Sequence, residues 1–340
     1  MLVCLYPLYG SKTHKLVFLI HTVFSGMAFL IVSGISKYEN GNLTIDNVSF
    51  IQNQFQNIAI AGETGSGKTT ILKMIAGLVQ PDAGEIRFEE KRVKGPYEKL
   101  LPGHQDIAYL SQHFELRNNY FVHEILDYAN RLSPQEAGNI FAVCRIGQLL
   151  SRRTDQLSGG ERQRIALAKL LIESPKLLLL DEPFSNLDII HRNIIKQVIK
   201  DIGENLKLSC IMVSHDAEDM LAWADTIIIM KDGKIIQQNV PAEIYHHPVN
   251  EYCAALFGEF NLVGRENDKK LFLRPEDILL TTEEKSRFKG VVKEIQFHGS
   301  YSIADIESDK QLLKVFVQDK KIKPGDVVYL ALRGSPNWYF

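Results

Sequence analysis

Short apolar runs bounded by turn residues recur along the middle of the chain: Asn57–Ala61 (NIAIA), Asp106–Leu110 (DIAYL), Leu177–Leu180 (LLLL), Ser209–Val213 (SCIMV) and Thr226–Met230 (TIIIM). They are rich in aliphatic residues and do not alternate with polar ones, which is the pattern of strands buried on both faces. Between them the period becomes helical. Ile71, Leu72, Ile75 and Leu78 mark one face of a helix over Thr69–Leu78, and Ile165, Ala168 and Ile172 mark another that stops at Ser174-Pro175. Strand-like and helical segments in alternation predict an α/β fold, a mixed sheet with helices. Phe29–Phe50 reads as two strands around the turn Glu39–Asn42, Pro81–Phe88 as a turn into a strand, and Lys231-Asp232-Gly233 as a hairpin turn into Lys234–Gln238. Tyr120–Leu150 is helical and irregular in charge, part of an inserted helical subdomain at about 115–174.

The texture changes after a helical linker, Pro241–Phe260, broken by Pro248. Short β-rich runs follow at Leu271–Leu273, Phe288–Phe297, Tyr301–Ile306, Leu312–Val317 and Val327–Leu332, with turn residues such as Lys323-Pro324-Gly325-Asp326 between them. This predicts a small β-barrel of OB type at 245–340, behind a larger domain at 27–244. The opposite end reads in three ways. Leu16–Val32 is largely apolar and follows Lys12 and Lys15, as in a signal peptide or a short membrane span. A span would consume Phe29–Val32, which the larger domain needs as its first strand. The third reading makes Met27 the functional start and residues 1–26 an extension outside the native protein.

Composition narrows the picture. A chain of 340 residues allows two domains. A net charge of −2 supplies no basic field for nucleic acid. Cys4, Cys144, Cys210 and Cys253 are scattered without a C-x-x-C pair, which argues against a disulfide framework or a cysteine metal site.

The strongest chemical signal is Gly62–Thr70, GETGSGKTT. Gly62, Gly67, Lys68 and Thr69 fit G-x-x-x-x-G-K-[ST], the phosphate-binding loop. Its glycines let backbone N–H groups turn toward phosphate oxygens, and a strand before and a helix after supply the right context. Lys68 suits the β- and γ-phosphates and the Thr69 hydroxyl suits Mg²⁺. Asp181-Glu182, directly after the leucine run, are costly there unless they meet charge; alternation along a strand aims them differently, so one can serve a metal and the other a water. In Leu157–Arg164 (LSGGERQR), Ser158 and Glu161 make a capping box behind two glycines, either a second anion site or an ordinary capped helix. Ser185–Asp188 (SNLD) caps a further helix. Gln112 and His215 stand at strand ends, where ligands of α/β sheets bind. Tyr38 either stacks on an adenine or simply closes a strand.

Taken together, these motifs resemble the ATP-binding subunits of ABC transporters. GETGSGKT, Gln112, LSGGERQR, LLLLDEP with SNLD, and Ser214-His215-Asp216 occur in that family's order over about Phe29–Ile244. The resemblance implies ATP and Mg²⁺ as cofactors and a head-to-tail dimer in which the phosphate loop of one subunit faces LSGGERQR of the other. It implies that residues from Gly62 through Glu63, Thr64, Gly65, Ser66, Gly67, Lys68 and Thr69 to Thr70 hold the phosphates, and that Ser158 and Gly160, with Gly159 between them, contact the γ-phosphate in trans. By the same resemblance Asp181 and Gln112 join Thr69 at Mg²⁺, Glu182 polarises the water, His215 braces the γ-phosphate, Asp188 links the two sites, and Tyr38 stacks on adenine. Glu63 departs from the family, whose members often have proline there.

The region Asp216–Pro248 narrows the resemblance to the importer ATPases for sugars, polyamines, ferric iron and oxyanions, and Leu273–Leu279 (LRPEDIL) resembles their C-terminal TOBE-type domain. Such a subunit is expected at the cytoplasmic face of the inner (plasma) membrane, as a peripheral protein. It implies transmembrane permease subunits docking at His113–Val122, a second ATPase subunit in a homodimer, an extracytoplasmic substrate-binding protein acting indirectly, and no nucleic acid. The alternative is a soluble non-transport ABC ATPase that remodels DNA or ribosomes; such proteins resemble paired cassettes or carry long helical insertions, and this chain shows neither.

Overall fold

The computed structural model describes residues 28–112, 116–185, 187–266, 269–318, 322–334 and 338–340. The expectation for residues 1–26 lies outside the described residues, as does the part of the docking expectation that falls on 113–115.

Phe29–Val32 do enter the first strand, β1 (Ala28–Glu39), where Phe29, Leu30 and Val32 are buried. It turns through Asn40-Gly41, both at positive φ (50° and 82°), into β2 (Asn42–Asn53); paired positive φ values match the twist of a tight hairpin. There follow β3 (Asn57–Ala61), helix α1 (Lys68–Ile75), β4 (Ala83–Phe88), β5 (Lys91–Arg92) and β6 (Ile107–Leu110). Helices α2 (Val122–Ala129), α3 (Pro134–Val143) and α4 (Gly159–Leu171) lead to β7 (Leu177–Asp181), α5 (Ile189–Leu206), β8 (Ser209–Val213) and α6 (Ala217–Trp223). Strands β9 (Thr226–Lys231) and β10 (Lys234–Asn239) precede α7 (Pro241–His246) and α8 (Glu251–Ala255). The chain ends in β11 (Asn261–Glu266), β12 (Lys269–Leu273), β13 (Ile278–Thr281), β14 (Phe288–Phe297), β15 (Ser302–Ser308), β16 (Gln311–Val317) and β17 (Val327–Leu332). No helix among the described residues is long and apolar enough to cross a membrane.

The chain divides into two compact units, the described residues of 1–56 with 69–211, and 57–68 with 212–340. In the first, an antiparallel sheet runs β2-β1-β4-β5 and buries Leu30, Ile35, Ile45, Val48, Ile86 and Phe88. Gln52, fully buried, donates from Nε2 to the Gln56 and Cys210 carbonyls, so the hydrogens of a buried amide are met by backbone. β6 and β7 pair in parallel, Ile107 with Leu177 through Leu110 with Leu180, and the leucine run is wholly buried.

One reading of the sequence needs correcting here. Leu78 does not join the buried face of α1: the helix stops at Ile75, Gly77 (φ 72°) reverses the chain, and Leu78 is exposed while Met74 takes the inward place. Tyr120–Leu150, read as helical, holds two helices, because Ser133 caps α3 and Pro134 occupies its first turn.

In the second unit β3 pairs in parallel with β9, and β9 returns antiparallel as β10 through Asp232 and Gly233, again at positive φ. Ala59, Ala61, Ile227 and Ile229 pack against Ile244, Cys253 and Phe257 of the linker. The expected boundary at 244–245 therefore falls inside this unit. Beyond it, β11 and β12 form a ribbon, and a five-stranded antiparallel sheet runs β13-β17-β14-β15-β16 around Leu273, Ile278, Ile306, Val315 and Leu330. The Asn261 side chain donates to the Lys314 carbonyl and accepts from its N–H (2.8 and 2.7 Å), so an amide continues the ladder at the edge strand β16.

Candidate nucleotide site

The glycine-rich loop between β3 and α1 closes around its own lysine. Lys68 Nζ donates to the carbonyls of Gly62 (2.8 Å) and Glu63 (2.7 Å) and approaches Ser66 Oγ at 3.4 Å. The loop bends through positive φ at Gly62 (149°), Gly65 (85°) and Gly67 (95°). At Gly62 a Cβ would lie 2.3 Å from the Met230 carbonyl and 2.8 Å from Ser66 Oγ, so only glycine fits. Glu63, Thr64 and Gly65 are exposed at the tip. A curled glycine loop ending in a lysine and a helix N-terminus has the chemistry to hold a polyphosphate.

Sequence reasoning missed how this loop is tied down. Tyr252 Oη accepts the Glu63 N–H at 3.0 Å and donates to the Met230 carbonyl at 2.9 Å, and Lys231 lies over its ring. Proline at 63 would have no N–H to give, so the departure at Glu63 has a physical counterpart in Tyr252. No local motif announces this pair, which is 189 residues apart in sequence.

The first unit gathers the acidic residues. Asp181, 3% exposed at the end of β7, accepts from Thr69 Oγ1 on Oδ1 (3.0 Å) and from Tyr109 Oη on Oδ2 (2.8 Å). Burial, then the Asp181 charge, pushes the Tyr109 hydroxyl well above its ordinary range, so it stays a donor. Tyr109 was legible in principle: it is opposite Leu179 in the β6–β7 register, and Asp181 follows two residues later on the same face. A hydroxyl and a carboxylate oxygen side by side are hard ligands of the kind Mg²⁺ takes, so the donor set fits that ion. Glu182 points elsewhere. Its Oε2 accepts from Gln112 Nε2 at 2.8 Å. The two adjacent carboxylates thus have separate partners.

A third cluster joins the two helix starts. Ser158 caps α4, its Oγ accepting from Glu161 N–H. Asp188 caps α5, accepting from the N–H groups of Ile190 and His191. These bonds, the His191 N–H first and its imidazole next, hold the Asp188 carboxyl below its usual range. His191 stands between them, with Nδ1 2.6 Å from Asp188 Oδ2 and Nε2 3.4 Å from Ser158 Oγ. Gly159 is exposed and Gly160 buried.

The remaining candidates are placed by their local partners. Tyr38 is 56% exposed, and its N–H is held by Asp82 at 2.7 Å. Thr70 Oγ1 reaches Glu39 at 3.5 Å. His215 is exposed in the tight turn after β8, where Ser214 Oγ accepts from Asp216 N–H and Asp216 caps α6.

The ABC transporter family matches residues 45–185 and the TOBE domain family matches 271–338. The sulfate/thiosulfate import ATP-binding protein CysA of Pseudomonas aeruginosa is 30% identical over 320 residues, spanning 91% of this chain and 95% of that protein. The chain belongs to the ATP-binding proteins of ABC transporters. The Fe(3+) ions import ATP-binding protein FbpC of Photobacterium profundum is 29% identical over 84% of this chain and 90% of its own. For the spermidine/putrescine import ATP-binding protein PotA of Clostridium acetobutylicum the figures are 29%, 88% and 93%. Among solved structures, a dimeric ATP-binding cassette in a post-hydrolysis state with ADP and Pi is 25% identical at a TM-score of 0.54, covering 62% of this chain and 98% of that one. CbiO1 from Clostridium perfringens shares the fold, with 24% identity and a TM-score of 0.57 over 64% of this chain and 90% of its own. As a member of this family the protein is an ATPase, and its β-rich C-terminal region is a TOBE domain.

Proposed function

We propose that the protein is the ATP-hydrolysing subunit of an importer, bound peripherally at the cytoplasmic face of the plasma membrane through a permease. The observation that carries the catalytic part is the separation of the adjacent carboxylates: Asp181 with Thr69 and Tyr109, Glu182 with Gln112. Thr69, Asp181 and Gln112 would hold Mg²⁺, which neutralises charge on the β- and γ-phosphates when bound. Residues Gly62 to Thr70 hold the phosphates of ATP, Lys68 by its ammonium. Tyr38 stacks on the adenine. Glu182 orients the attacking water and accepts its proton, and His215 braces the γ-phosphate.

In this reading two copies pair head to tail, so that Ser158, Gly159 and Gly160 of one subunit meet the ATP of the other and Asp188 links the two sites. The cargo belongs to the chemistry of the permease and its extracytoplasmic binding protein; the relatives named above import a metal ion, an oxyanion and a polyamine. The test is nucleotide binding by the full chain with and without Lys68→Ala, beside co-purification with a multi-span membrane protein. Loss of ATP binding in the variant and recovery of a membrane partner with the wild type are expected. Undiminished ATP binding by Lys68→Ala, or purification with a nucleic-acid or ribosomal partner instead, would contradict the reading.

A further inference from the structure

The contact of His191 with both helix caps has no part in the reading above. The residue is three positions beyond Asp188, one turn along the same face of α5. Its side chain is 32% exposed, so packing in a core does not explain it. Asp188 Oδ2, a carboxylate oxygen, can only accept, so the 2.6 Å contact requires the hydrogen on Nδ1. In the neutral ring Nε2 is then an acceptor. The Ser158 Oγ already accepts from Glu161 N–H, and its own proton is left to point at Nε2, 3.4 Å away. The ring also fills the space that a glycine leaves: a Cβ on Gly160 would lie 2.5 Å from His191 Cδ2 and 2.8 Å from its Cβ and Cγ. Glycine at 160 and the imidazole at 191 are thus complementary in shape.

We propose that His191 is a positioning residue for ATP turnover, tying the Ser158 hydroxyl at the start of α4 to Asp188 at the start of α5. Through this strut the two helix starts move as one body. The strut holds Oγ in place while the proton rests on the imidazole; a phosphate oxygen can only accept, so the hydroxyl turns from Nε2 to it without Oγ having to be positioned anew. The inference rests on the reading that Ser158 contacts the partner's ATP.

Phosphate release by the full-length chain tests it, with His191→Ala, His191→Asn, Ser158→Ala and the His191→Ala/Ser158→Ala double variant. His191→Ala should lower kcat by about tenfold while KM for ATP stays within about twofold, because nucleotide binding within one subunit does not use Ser158. The shorter amide of His191→Asn reaches Asp188 but not Ser158. It should therefore keep the thermal stability of the wild type and still lose turnover as the alanine variant does. The double variant should be no slower than Ser158→Ala alone. Wild-type turnover in His191→Ala, restored turnover in His191→Asn, or additive losses in the double variant would each overturn the proposal and leave the role of Ser158 standing. Full turnover in Ser158→Ala would instead remove the reading of Ser158, and the inference with it.

Discussion

Gln112 donates from Nε2 to Glu182 Oε2 at 2.8 Å, and Glu182 is held in a left-handed backbone conformation (φ 50°). That region costs a residue with a side chain of this size about 1 kcal/mol or more. The turn is fastened on its far side. Ser185 donates to the Glu182 carbonyl from both N–H (3.2 Å) and Oγ (2.9 Å), and Gln163 Nε2 donates to the Pro183 carbonyl. A strained, fastened turn aims one carboxylate away from its neighbour. Glu182→Gln keeps this geometry and removes the base. Phosphate release should fall by about 10²-fold or more, while Mg-ATP binding, followed with a fluorescent analogue, should persist. Turnover at the wild-type rate would take Glu182 out of the mechanism.

Tyr252 holds the phosphate loop through the Glu63 N–H. Tyr252→Phe removes the acceptor and Glu63→Pro removes the donor. Each should weaken ATP binding by about 1 kcal/mol, the net worth of one hydrogen bond. Because both delete the same bond, the double variant should bind no worse than the weaker single one. Titration of nucleotide into the three proteins reads this, and additive losses would show that the two residues act separately.

Among the described residues Arg274 is the largest fully buried side chain, and its guanidinium serves the carbonyls of Tyr245, Ala254, Gly258 and Glu259 at 3.1 Å each. Tyr245 and Phe272 cover its faces. Arg274→Met would remove a donor from each of these carbonyls, of which Ala254 keeps the Phe257 N–H. A loss of about 3 kcal/mol or more is expected. Arg274→Lys should rescue little of it, since a compact ammonium cannot span the planar fork. Thermal unfolding, with limited proteolysis across 245–260, measures the effect; an unchanged melting curve would mean that the guanidinium does not hold this junction.

Burial pushes the thiols of Cys144 and Cys210 up to about 12 and that of Cys253 to about 11. Thiolate is the reactive form. In a Cys4→Ser background, iodoacetamide at pH 8 should leave the folded protein unlabelled and react only as it unfolds. The sign for stability follows from the raised values: the folded chain keeps protons that the unfolded chain releases, so stability should decline as pH climbs from about 9 toward 11. Rapid labelling of Cys210 at pH 8 under native conditions would contradict its burial.

Several features were decided locally and could be read from the chain alone. A run of leucines with no polar face has to be buried on both sides, and β7 is. The spacing of Gly62, Gly67, Lys68 and Thr69 sets a loop that only glycine can turn, and the Ser158–Glu161 and Asp188 caps follow from hydrogen bonding within one helical turn. Tertiary structure decided the partners. Tyr109 meets Asp181 through the β6–β7 register, Tyr252 meets Glu63 from a helix far along the chain, and Arg274 collects carbonyls from two linker segments. Leu78 fitted the helical period and is exposed because Gly77 had already reversed the chain. Periodicity and capping report interactions over a few residues, where the backbone fixes who meets whom. A hydroxyl, an imidazole or a guanidinium that reaches across elements finds its partner only once the strands are in register and the loops have closed, and neighbouring residues carry no mark of that.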